Sequence, residues 1–181
     1  MFTVVLDACV IIPATLNDTM LRIAEAGGYG VRWSEEILGE VRRNMLRLGV
    51  PEDAADRRLD AMRQAFPFAE VTGYEGLVPV MANDPKDRHV LAATLRSQAH
   101  TIVTFNLTDF PMDSVEPWDV EVVHPDQFLL SQLDLEPYRV LTALHQQIGA
   151  NRRPPRSVDE LVAALRRCGV PGFADELRRH L

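Results

Sequence analysis

No apolar run in this 181-residue chain approaches the roughly 20 residues that a membrane-spanning helix needs. The longest runs, Val4 to Leu6 and Val10 to Ala14, stop far short, and no basic stretch precedes them. The sequence therefore predicts neither a membrane segment nor a secretory leader. Cysteine is scarce: Cys9 and Cys168 lie far apart, and none of the five histidines stands at a zinc-ligand spacing from either. A cytoplasmic location is the expectation. Positive charge is also lacking, with 19 Lys+Arg against 26 Asp+Glu and a net charge of −7. Constitutive, non-specific binding to a duplex, which rests on neutralising phosphates, is disfavoured. The deficit is uneven, because residues 1–133 carry 11 basic against 20 acidic side chains while residues 134–181 carry 8 against 6. No internal repeat or low-complexity stretch is present.

What the chain does have is 46% hydrophobic residues, enough for the core of one domain with an appendage. Apolar, β-branched runs at Thr3 to Leu6, Gly30 to Trp33, Phe68 to Thr72, Thr101 to Phe105 and Val120 to Val123 alternate with helical patterns. That alternation predicts an α/β fold, a three-layer α/β/α arrangement around a mostly parallel sheet of about five strands. One helix runs from Ala14 to Ala26 and stops at Gly27 and Gly28. Ser34 caps a second, Pro51 starts a third with acids in its first turn, and Asp84 with Pro85 starts a fourth. After about residue 124 the strand pattern ends, and three or four helices follow. The chain thus divides into an α/β domain over 1–124 and a helical extension over 125–181.

Parallel α/β sheets bind ligands at the carboxyl ends of their strands, and that rule selects among the 26 acidic residues. Asp7 ends the first strand, Asp87 opens the helix before the strand at 101–105, and Asn106 and Asp109 follow that strand. Glu40 lies two turns into its helix on the stripe of Ile37 and Val41, leaning toward the core, with Glu36 its rival one turn away. Each has a plain alternative. Asp7 and Asp84 suit helix caps, Glu40 suits pairs with Arg43 and Arg47, and Asn106 and Asp109 suit a turn before Pro111. Several acids converging on one sheet edge would repel one another without a cation, however. Oxygen-only donors of this kind suit Mg²⁺ or Mn²⁺, and such an ion activates water against a phosphodiester.

Four blocks, "VVLDACVII", "SEEILGEVRRNM", "NDPKDRHVLAAT" and "IVTFNLTDFP", resemble in content and order the motifs of PIN-domain ribonucleases, in particular the VapC-type toxins of bacterial toxin–antitoxin pairs with an added helical C-terminal region. The likeness spans about residues 2–124. It implies a metal-dependent endoribonuclease that hydrolyses RNA, with Asp7, Glu40 and Asp87 binding Mg²⁺ or Mn²⁺. The fourth acidic position matches Asn106, which adds no negative charge, so the second of two metals depends on Asp109. Thr104 is expected to orient these groups through its hydroxyl; separately from the resemblance, Arg88 is a basic candidate for an RNA phosphate, against the plain reading of a solvated side chain. The family also implies a cognate antitoxin, with a DNA-binding part, and a homodimer.

Other features carry less. His89 is expected to point away from Asp87, "GGYG" at 27–30 reads as a helix stop rather than a phosphate loop, and Arg152, Arg153 and Arg156 read mainly as a solvated linker. Phe66, Phe68, Phe105 and Phe110 are expected in the core or the site wall. A non-catalytic RNA- or partner-binding module on the same scaffold is the competing reading, motivated by Asn106. A phosphotransferase or receiver domain is disfavoured, because no second acid closely follows Asp7 and the only lysine is Lys86.

Overall fold

Five parallel strands organise the chain. In the computed structural model, which describes residues 2–180, β1 (Thr3–Leu6), β2 (Gly30–Ser34), β3 (Glu70–Val71), β4 (Thr101–Val103) and β5 (Glu121–Val123) form one sheet in the order β3-β2-β1-β4-β5. Every neighbouring pair is parallel. The helices in chain order are α1 (Ala8–Ile11), α2 (Ala14–Glu25), α3 (Glu35–Arg47), α4 (Glu52–Ala65) and α5 (Arg88–Arg96). They continue with α6 (Met112–Val115), α7 (Pro125–Leu135), α8 (Pro137–Ala150), α9 (Val158–Arg167) and α10 (Pro171–His180). The α/β class read from the sequence is the one found.

The chain folds as two compact units, one of Phe2–Ile12 with Gly30–Val123, the other of Pro13–Tyr29 with the helices from His124 onward. The first unit holds the whole sheet. Its central strand is β1, whose Val4, Val5 and Leu6 are fully buried, as expected for a strand with a neighbour on each side. Strand order runs outward through β2 and β3 on one side of β1 and through β4 and β5 on the other. The direction of winding therefore reverses between β1 and β4, and such a reversal opens a crevice at the carboxyl ends of the two strands. Ser34 caps α3 by accepting the Ile37 N–H at 3.2 Å, as its position in the sequence predicts. Trp33 is fully buried and meets Phe66 edge to face at 6.0 Å.

The second unit gathers α2 with α7, α8, α9 and α10. Tyr29 packs edge to face on Phe128 at 4.9 Å and donates its hydroxyl to the Met20 carbonyl at 2.6 Å. The buried Gln147 accepts from Thr19 Oγ1 at 2.8 Å and donates to the Thr15 carbonyl at 3.2 Å, tying α8 to α2. Asp126 accepts the N–H groups of Gly172 and Phe173 at 2.9 and 2.7 Å, placing a carboxylate on the start of α10. Gly27 ends α2 in the left-handed region, at φ 85°, so "GGYG" is the helix stop expected.

Two local expectations are corrected. Phe68 is 85% exposed rather than core or site wall, because the strand expected over 68–72 contracts to two residues. Asp84 starts a single 3-10 turn over Pro85–Asp87, and regular helix begins only at Arg88. Among the described residues no helix is long and apolar enough to cross a membrane.

Candidate functional site

The crevice between β1 and β4 is built around one carboxylate. Asp7 follows β1, is 3% exposed, and its backbone N–H still pairs with the Val103 carbonyl at 3.1 Å. Its Oδ1 accepts the Ala8 N–H at 2.6 Å, capping α1, a turn that the sequence does not announce. Its Oδ2 accepts the Thr104 hydroxyl at 2.6 Å and lies 3.2 Å from the Cys9 thiol. Asp7 is thus both the cap and part of a polar cluster. The Thr104 hydroxyl, fully buried, accepts the Asn106 N–H at 3.0 Å in turn. Cys9 Sγ accepts the Phe105 N–H at 3.3 Å, so the loop after β4 is pinned to the turn after β1 at two points. Burial, then the Asp7 charge, pushes the Cys9 thiol up to about 12, which keeps it protonated.

The 3-10 turn before α5 brings in the second acid. Asp84 Oδ1 accepts the Lys86 N–H at 3.1 Å, and the Asp84 N–H donates to the Asp109 carbonyl at 3.0 Å. That bond sets the Asp87 turn beside the turn over Leu107–Asp109. Asp87 is 6% exposed, and its Oδ2 has no hydrogen-bond partner. Burial first, then the Asp7 charge, then a hydrogen bond and the charge of Asp109 push its pKa up to about 7, against an opposing pull from Lys86. Lys86 Nζ lies 3.2 Å from Asp109 Oδ2 and 3.9 Å from Asp87 Oδ2.

Glu40 takes a different partner. Its Oε1 lies 3.2 Å from Nε2 of His89, a side chain only 4% exposed, while Glu36 Oε2 lies 3.9 Å from the other ring nitrogen. Burial pulls the His89 pKa down, but the Glu40 hydrogen bond and the Glu36 charge outweigh it and hold the ring above its ordinary value. His89, the second residue of α5, turns to Glu40 and Glu36 on α3, a pairing that the sequence reading did not foresee. Glu40 accordingly pairs with His89, not with Arg43 or Arg47. Arg88 spends its Nε on the Asn83 carbonyl at 3.3 Å.

Residues 3–108 match the family model described as PIN domain, and residues 125–179 match one described as VapC50 C-terminal domain. This chain belongs to the PIN-domain family. A protein of Mycobacterium tuberculosis named "Putative ribonuclease VapC50" is 40% identical over 139 residues, covering 76% of this chain and 79% of its own. No solved structure matches.

In this PIN domain the Asp87 carboxyl feels the charges of Asp7 and Asp109, while Asn106 is exposed. Among the described residues no group of three or more His, Cys, Asp and Glu side chains stands arranged to hold a metal ion. The oxygen-only donors and the buried, unpartnered Asp87 Oδ2 nevertheless fit a hydrated hard cation, which takes one or two carboxylates and keeps several waters. Sequence reading missed Cys9, Lys86 and His89 as neighbours of the acids. Each lies within two residues of Asp7 or Asp87 in the chain, and that adjacency was the available signal.

Proposed function

We propose that this PIN-domain protein is a Mg²⁺- or Mn²⁺-dependent endoribonuclease acting as the toxin of a type II toxin–antitoxin pair. The observation that carries the proposal is the buried Asp87 carboxyl, without a hydrogen bond at Oδ2 and pushed up to about 7 by burial and by Asp7 and Asp109. A carboxyl held between its two protonation states by like charges is what a cation relieves. Asp87, Asp7 and Asp109 would hold the ion, with Glu40 reaching it from His89 and Asn106 offering a neutral carbonyl oxygen at the rim. When bound, the ion supplies Lewis-acid polarisation of the scissile phosphodiester and a water of lowered pKa.

The chain's own residues do the rest. Thr104 holds Asp7 Oδ2 by donating its hydroxyl, which fixes the face that carboxylate presents. Asp87 and Asp109 take up the positive charge that the phosphodiester requires beside it. Arg88 is the candidate for substrate phosphate. Residues 1–124 form the nuclease domain in this reading and residues 125–181 the helical extension. A cytoplasmic setting, a homodimer and a cognate antitoxin, carrying a DNA-binding part and a basic residue for the acidic site, complete the reading.

Induction with and without the neighbouring gene, followed by mapping of new RNA 5′ ends, tests it. Wild type should arrest growth and create discrete ends that the neighbour suppresses, whereas Asp7→Asn and Asp87→Asn should do neither. Arrest and cleavage by both variants at the wild-type level would sink the proposal. Asn106, neutral at the fourth acidic position, and the net charge of −7 motivate one rival, a non-catalytic RNA- or partner-binding module. Absence of carboxylate-dependent Mn²⁺ binding in calorimetry would support that rival.

A further inference from the structure

The chain's only lysine stands at the acidic cluster. Lys86 Nζ is 3.2 Å from Asp109 Oδ2 and 3.9 Å from Asp87 Oδ2, so one ammonium spans both carboxyls. Its side chain is 65% exposed, while the side chains of Asp87 and Asp109 are only 9% and 17% exposed. The acids are therefore fixed in the wall, and the ammonium reaches them from a flexible stem in solvent. The fit is incomplete, since Asp87 Oδ2 lacks any hydrogen bond and 3.9 Å is too long for one. An ammonium held in this way satisfies charge at the pair without saturating it. The other 18 basic residues are arginines, whose planar, weakly hydrated heads make more committed bidentate pairs than a point charge does.

We propose that Lys86 is a tethered counter-cation for the Asp87–Asp109 pair in the metal-free protein, and that it turns to an RNA phosphate once the pair is taken by a divalent cation. The proposal rests on the metal-dependent reading above. The geometry makes the two roles exclusive: a lysine within 4 Å of both acids competes with any cation for them, and only one displaced from them has its charge free for a phosphate.

Mn²⁺ titration calorimetry on the full chain separates the cases, comparing wild type, Lys86→Gln and Arg57→Gln. The last removes an equal charge at an exposed pair on α4. Lys86→Gln should bind Mn²⁺ about fivefold more tightly, the size expected from removing a unit charge about 4 Å away in a watery setting. Arg57→Gln should match wild type. In RNA cleavage at saturating Mn²⁺, Lys86→Gln should raise KM and shrink the log–log salt slope by about one. Equal Mn²⁺ affinity of wild type and Lys86→Gln overturns the counter-cation role. An unchanged KM and salt slope overturn the phosphate role. No Mn²⁺ binding by wild type overturns the metal-dependent reading on which both depend.

Discussion

Thr104 donates its hydroxyl to Asp7 Oδ2 at 2.6 Å across the crevice where strand order reverses, joining the end of β4 to the end of β1. Thr104 Oγ1 in turn accepts the Asn106 N–H at 3.0 Å, so one hydroxyl sets both the carboxylate and the loop that follows β4. Thr104→Val keeps the shape and removes the hydroxyl. It should lower RNA cleavage about 10–100-fold, as loss of a group that orients a metal ligand does, and cost about 1.5–3 kcal/mol of stability for a hydrogen bond to a charged group. Thr104→Ser should restore most of both. Single-turnover cleavage and urea unfolding measure the two effects separately.

Asp87 makes the metal-free protein sensitive to pH. Its folded pKa of about 7 lies above the unfolded value, so its contribution is fully present below the unfolded pKa and is lost as pH rises through about 7. At pH 8 the folded state carries a buried charge that repels its neighbours. Asp87→Asn should therefore raise Tm in EDTA at pH 8, by about 2–4 °C per kcal/mol relieved, and change little below pH 4. Thermal melts at both pH values check the sign, and a lower Tm for the variant at pH 8 would contradict it.

Metal binding should draw on the same proton. A cation needs Asp87 ionised, so Mn²⁺ affinity should climb with pH, approaching about tenfold per unit well below pH 7, and level off above it. Calorimetry in buffers of different ionisation enthalpy should also report proton release on binding at pH 6. A flat affinity between pH 5.5 and 8 would count against Asp87 as a ligand.

His89 and Glu40 form a second pH-sensitive contact, whose contribution also fades as pH rises. The histidine's folded pKa is raised, so its stabilising share is fully present below the unfolded value and fades as pH rises through the folded one. His89→Gln, which can still donate to Glu40, should lose more stability at pH 5 than at pH 9. Denaturant midpoints at the two pH values provide the comparison, and equal losses would show that the ring's charge contributes nothing.

The sheet was legible because hydrophobic runs at Thr3 to Leu6, Gly30 to Trp33 and Thr101 to Phe105 carry the period of buried parallel strands, and because capping residues such as Ser34 announce helix starts. Asp7, Asp87 and Asp109 were legible from their places after strands or at helix starts. What was not legible depends on short turns. The single turn of α1 is too brief to show periodicity, and the 3-10 turn at Pro85–Asp87 delays α5 by three residues, which rotates His89 toward Glu40. Phe68 was misjudged for a related reason: apolarity suggested burial, but only Glu70 and Val71 pair with β2. Ligand grouping in space is a tertiary property, and Glu40's pairing with His89 rather than with the aspartates could not be read from spacing alone.

The most direct test of the account is RNA cleavage by the purified full chain with Mg²⁺ or Mn²⁺ and then with EDTA, for wild type and Asp87→Asn. The account predicts cleavage by wild type only with a divalent ion, abolished in Asp87→Asn although that variant is folded and no less thermostable. Cleavage that persists undiminished in EDTA, or in Asp87→Asn, would contradict it.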